Sequence, residues 1–107
     1  MEYEKKPICL QILKDHDPDF LKAFEELFEA AFSPGTLDSR TKMLIAFGIN
    51  ASTGMGHHCA EMAKRMEEMG VSREEMAEVL RVSATVRAMQ GVITGSQAFG
   101  VHMIFAP

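Results

Sequence analysis

An all-α domain of about five helices is what this sequence predicts, and three observations carry the prediction. Apolar residues recur at helical spacing, most clearly Phe20, Phe24, Leu27, Phe28 and Ala31. Start and stop signals, from Asp17-Pro18 to Gly70 and Ser72-x-x-Glu75, cut the chain into pieces of helical length. The connections between those pieces are short, as neighbouring helices of a bundle require. With 107 residues and 47% hydrophobic content, the chain reads as a single folded domain, residues 1–107. A domain of this size buries a limited share of its surface and often gains stability by assembling with copies of itself.

Residues 1–16 show no clean period and read as a loosely attached lead-in, although Ile8, Leu10, Ile12 and Leu13 are available to pack. Asp17-Pro18 then opens a helix. The aspartate accepts from a free N–H, and proline at the first helical position has no N–H to lose. Ser33-Pro34-Gly35 ends it. Asp38 or Ser39 caps the next helix, which runs through Met43-Leu44-Ile45-Ala46-Phe47-Gly48-Ile49-Asn50-Ala51. Its apolar residues lie on all sides, so it is expected to be central and buried. A buried strand is the alternative for so short an apolar run.

Gly54 and Gly56 break that pattern. A third helix follows, with Cys59, Met62, Ala63, Met66 and Met69 expected inward and Lys64, Arg65, Glu67 and Glu68 outward. Gly70 suits a helix end because it tolerates a left-handed backbone. Ser72 and Glu75 form a capping box, and Val71 with Met76 a hydrophobic staple. The fourth helix continues through Val79, Leu80, Val82, Ser83 and Val86, with acids early and Arg81 and Arg87 late, as the helix dipole prefers. Gly91 is expected to interrupt it. A fifth helix then covers Val92 to about His102, its Gly95 and Gly100 calling for a closely packed neighbour in the same chain or another.

Composition also excludes. A net charge of −4 with interspersed signs gives no basic stripe for nucleic acid. Ala88–Pro107 holds no Asp, Glu, Lys or Arg, but Gln90, Thr94, Ser96, Gln97, His102 and its glycines make it too polar for a membrane span. Two cysteines, Cys9 and Cys59, make no disulfide framework, and no signal peptide is visible, so a reducing, cytoplasmic setting is expected.

The chemistry is concentrated in Gly54-Met55-Gly56-His57-His58-Cys59-Ala60-Glu61-Met62. Together with Leu37–Ala46, the run from Gly54 to Gly70, Ser72–Leu80, and Gly91 with Ala98-Phe99, it resembles the carboxymuconolactone decarboxylase family, which includes the alkyl hydroperoxide reductase D-like proteins. The resemblance covers roughly residues 20–100. It implies a helical domain assembled as a homotrimer or homohexamer. It also implies an antioxidant, peroxiredoxin-type oxidoreductase activity or, in other members, lactone decarboxylation by a lyase. In the redox-active members a glutamate precedes Cys-x-x-Cys-x-x-x-His. With Gly54 and Gly70 as anchors, the glutamate position holds Met43, the two cysteine positions hold Met55 and His58, and the histidine position holds Met62.

Cys59 stands one residue past the second cysteine position and is the candidate nucleophile. A helix start favours a thiolate, and His57 and His58 are the candidate proton carriers. The alternative is a small buried hydrophobe at Cys59. Cys9 could resolve an oxidised Cys59 if the lead-in folds across the helix start. His57 and Glu61, four apart, or His58 and Glu61, three apart, could contribute to a zinc site with His102 as distant partner; a solvated His–Glu pair is the default, and no metal or cofactor is expected. Met43, Met55, Met62, Met66, Met69 and Met76 either fill a core or line a pocket for a small apolar ligand, with Arg87 and His102 available to an anion at its rim. Two functions therefore compete: a divergent thiol peroxidase or oxidoreductase acting at Cys59, and a non-catalytic oligomeric module that binds a small molecule or a partner.

Overall fold

A computed structural model describes residues 8–102, with side chains from Leu10 onward. Five α-helices account for most of it, and no strand occurs among the described residues, so the domain is all-α. They are α1 (Ile8–His16), α2 (Pro18–Phe32), α3 (Ser39–Ser52), α4 (Gly56–Glu68) and α5 (Arg73–Ser96), followed by a 3₁₀ turn, Gln97–Phe99. The chain divides into two compact units at Ser39/Arg40.

The first unit is a helix pair. Within the lead-in, Ile8–His16 is helical, which the sequence period does not announce. Leu10 of α1 and Leu21 of α2 are buried, and packing of this kind, rather than propensity, stabilises so short a helix. The start of α2 matches its sequence signal: the Asp17 carboxylate accepts from the Phe20 N–H at 3.2 Å, with Pro18 at the first helical position. Phe20, Phe24, Phe28 and Phe32 recur every four residues and form a ladder with centroid separations of 6.3, 5.1 and 5.8 Å, the outer two pairs stacked and the middle pair tilted. At its far end the Ser39 hydroxyl donates to the Phe32 carbonyl at 2.9 Å.

The second unit is built from α3, α4 and α5. Its core is Met43 and Phe47 of α3, Met66 of α4, Val71 of the following turn, and Met76 of α5. Close approach of α3 to α5 occurs at Gly48, where an added Cβ would meet Ser83 Oγ at 3.1 Å and Val79 Cγ1 at 3.2 Å. Ser83 Oγ also donates to the Gly48 carbonyl at 3.3 Å.

Gly70 has φ +82°, and the ends of α4 are tied as a Schellman motif: Val71 N–H donates to Met66 O at 2.8 Å and Gly70 N–H to Glu67 O at 3.0 Å. The capping box at Ser72 and Glu75 forms in both directions, and both members of the expected staple, Val71 and Met76, are buried. Arg40, at the start of α3, pairs with both oxygens of the Glu75 carboxylate. One glutamate thus caps α5 and ties it to α3.

Three expectations need correction. Gly91 does not interrupt the chain: α5 is continuous for 24 residues, because glycine in a helix costs only about 1 kcal/mol relative to alanine and neither Gly91 nor Gly95 adopts a positive φ. The expected fourth and fifth helices are therefore one, while α1 supplies the helix that keeps the total at five. Nor is α3 buried on all sides. It buries Met43 and Phe47 and leaves Ile45 and Ile49 about half exposed, since its partners in this unit cover one face. Met69, expected inward, is exposed, because the helix closes at this residue.

Candidate functional site

The turn that carries the site is set by glycine. Gly54 has φ +77°, a left-handed conformation that other residues enter at a cost. It lets Met55 N–H reach back to the Asn50 carbonyl at 2.9 Å, the same long backward bond that Val71 makes to Met66 at the end of α4. Met55 then becomes the residue that flanks α4, and Gly56 its first helical residue.

Met55 offers no side-chain oxygen to the helix start, and no side-chain capping bond is made there. The N–H groups of the first turn consequently keep their positive partial charge directed outward. His57 and His58 sit on that turn with exposed side chains. Cys59 follows as a free, half-buried thiol, its own N–H donating to the Met55 carbonyl at 3.0 Å. The three expected residues therefore share one helical turn, the histidines exposed and Cys59 half-buried. Cys9 lies in α1, but its side chain is outside the described residues, and so is the pairing with Cys59.

One turn further, Met62 is half-buried, and its sulfur accepts from Asn50 Nδ2 at 3.1 Å. This contact links α3 to α4. Its only sequence signal is a lone amide at the end of an otherwise apolar helix segment. The ion pair of Arg40 with Glu75 escapes sequence reasoning, because the partners are 35 residues apart. Backbone N–H of Ser72 and then the Arg40 guanidinium hold the Glu75 carboxyl below its ordinary range.

The methionine group divides. Met43, Met66 and Met76 are core, Met62 is half-buried, and Met55 and Met69 are exposed. Arg87 is exposed and donates to Gln90 Oε1 at 3.4 Å, and His102 is exposed. No three His, Cys, Asp or Glu side chains among the described residues come together as metal ligands would, so His57, His58 and Glu61 gain no third partner of that kind. No helix among the described residues is long and apolar enough to cross a membrane.

A family model for the carboxymuconolactone decarboxylase family matches residues 18–99, from the start of α2 to the end of the 3₁₀ turn. The chain belongs to that family. Among its relatives is the uncharacterized protein MJ0742 of Methanocaldococcus jannaschii, 37% identical over 79 residues, which cover 68% of this chain and 71% of the relative. A second, the uncharacterized protein MJ1511 of the same organism, is 27% identical over 73 residues, covering 68% of each chain. Both names leave the activity open, so the reading of function rests on the residues around Cys59.

Proposed function

We propose that this member of the family is a thiol-dependent oxidoreductase of the peroxidase type, acting through Cys59. The observation that carries the reading is the uncapped start of α4: a free, half-buried thiol on its first turns, preceded by two exposed imidazoles. The reading requires the thiolate, which is the attacking form.

The chemistry would run in two stages. The Cys59 thiolate attacks the terminal oxygen of a hydroperoxide. The O–O bond breaks, a sulfenic acid forms on Cys59, and the leaving alkoxide takes a proton from His57 or His58. A small thiol then displaces water from the sulfenic acid, giving a mixed disulfide, and a second thiol releases Cys59 and leaves as the external disulfide. Cys59 is the sole cysteine within residues 18–99, so the cycle needs one protein sulfur and an external reductant. A reducing compartment such as the cytoplasm would supply it. Lactone decarboxylation receives less support, because Met62, at the family's histidine position, carries no ionisable group.

Alkylation tests the reading. Cys59 of native protein should react with iodoacetamide at neutral pH faster than Cys9. Replacing His57 and His58 together by Gln should slow it. Peroxide consumption in the presence of a small thiol should vanish in Cys59→Ser. A Cys59 that reacts only after unfolding in urea would rule out the thiol enzyme.

A second reading has its own support. Val82, Val86, Met89 and Val92 of α5 are each at least half exposed, Val82 at 62% and Val92 at 67%. Apolar residues at this density on one helix suit contact with another chain. We therefore also propose a homotrimer or homohexamer, which in a non-catalytic member would be the functional form and would bind a small apolar molecule or a partner.

A further inference from the structure

The same turn of α4 carries a second pattern that peroxide chemistry does not use: three sulfurs and an imidazole within two helical turns. Met55, His58, Cys59 and Met62 occupy positions i, i+3, i+4 and i+7 of the chain. The helix from Gly56 onward places His58 and Met62 four apart and Cys59 and Met62 three apart, so the members of each pair are neighbours on its surface. Residues four apart on one helical face are a spacing at which two side chains grip a single metal ion, as in histidine pairs of zinc enzymes.

The donor types decide which ion. Thioether and thiolate sulfur are soft ligands that favour Cu(I), and imidazole also suits copper. Zinc would call for a set drawn from Cys, His, Asp and Glu, and no three of these come together among the described residues. Thioether ligands, which zinc rarely takes, complete the set here.

The structure adds two observations. Met62 is not a freely moving side chain: Asn50 Nδ2 donates to its sulfur at 3.1 Å, fixing the thioether against α3 and leaving a second lone pair. Burial is also graded along the four residues, with Cys59 and Met62 half-buried and His58 and Met55 exposed, so none of the donors is sealed in the core.

We propose that Cys59, Met62 and His58 form a Cu(I) site on the first two turns of α4, with Met55 as a fourth, outer ligand. Binding displaces the Cys59 proton to solvent and involves no change of oxidation state. The site uses Cys59 but does not depend on the peroxidase reading, because Met62 and Met55 have no part in that chemistry.

The test is an anaerobic titration of the full chain with Cu(I), in competition with a chromophoric Cu(I) chelator. The chain should withdraw one Cu(I) per protomer and develop a sulfur-to-copper charge-transfer band in the near ultraviolet. Cys59→Ser should abolish both. Met62→Leu should weaken binding by about tenfold or more while leaving the iodoacetamide reaction of Cys59 unchanged, which separates this site from the thiol chemistry. Cys9→Ser should bind as the native chain does. Circular dichroism of each variant confirms that it is folded. No withdrawal of Cu(I), binding unaltered by Met62→Leu, or tighter binding of Zn(II) than of Cu(I) would each overturn the proposal.

Discussion

Replacing Met66 by alanine tests the interior of the second unit most directly. Among the described residues, Met66 is the one large side chain with no exposed surface, at 0%. Its carbonyl also accepts the Val71 N–H that closes α4. Truncation to alanine removes three heavy atoms, or about 2–2.5 kcal/mol of transfer free energy at about 0.8 kcal/mol per buried group. The residual cavity adds to this, because the other buried side chains of the unit, Met43 and Phe47 of α3 and Met76 of α5, are each held on their own helix and relax only in part. The expected loss is about 3–4 kcal/mol, within the range found for such truncations. A chain of 107 residues has a total stability of about 5–15 kcal/mol, so this loss is a large share of it. Met66→Leu, which roughly conserves volume, should cost less than about 1.5 kcal/mol. The assay is urea unfolding at fixed protomer concentration, since assembly would add its own concentration dependence. A Met66→Ala loss below about 1 kcal/mol would refute the argument and indicate that the methionines surround space rather than fill it.

Four further outcomes are expected. The folded Glu75 carboxyl titrates below its unfolded value, so its contribution is present above the unfolded pKa and lost as pH falls through the folded pKa. Glu75→Gln should keep much of the cap but flatten the acid limb of the stability profile, measured by thermal melts across that window. Gly70→Ala must place a Cβ on a backbone at φ +82° and should cost about 1–2 kcal/mol, readable as a lower urea midpoint. Gly95 has open space around it among the described residues, so Gly95→Leu should leave the helix content intact; a shift toward monomer in sedimentation would locate a neighbouring copy there, and an unchanged assembly would refute that contact. Met69→Ala, at a half-exposed helix end, should change stability by no more than about 0.5 kcal/mol, in contrast to Met66→Ala.

What the sequence determines by itself is local. Asp17-Pro18, Gly54, Gly70 and the Ser72–Glu75 box act over three to five residues through hydrogen bonds and allowed φ values, and each occurs where its residues place it. The helical class, the boundaries of α2 to α4, the start of α5 and the turn bearing His57, His58 and Cys59 all follow from such short-range chemistry. Tertiary structure decides the rest, because it depends on groups far apart in the chain. Packing of Leu10 and Leu21 makes a helix of residues whose period is unclear. Continuity of α5 through Gly91 reflects a small propensity cost rather than a stop signal. Arg40 reaches Glu75 and Asn50 reaches Met62 only once α3 lies against α5 and α4. That last contact turns a methionine of the apolar pattern into an ordered sulfur on the helix that carries Cys59. No periodicity could announce it, because a hydrogen bond between two helices is set by their distance and crossing, not by the spacing of residues along either one.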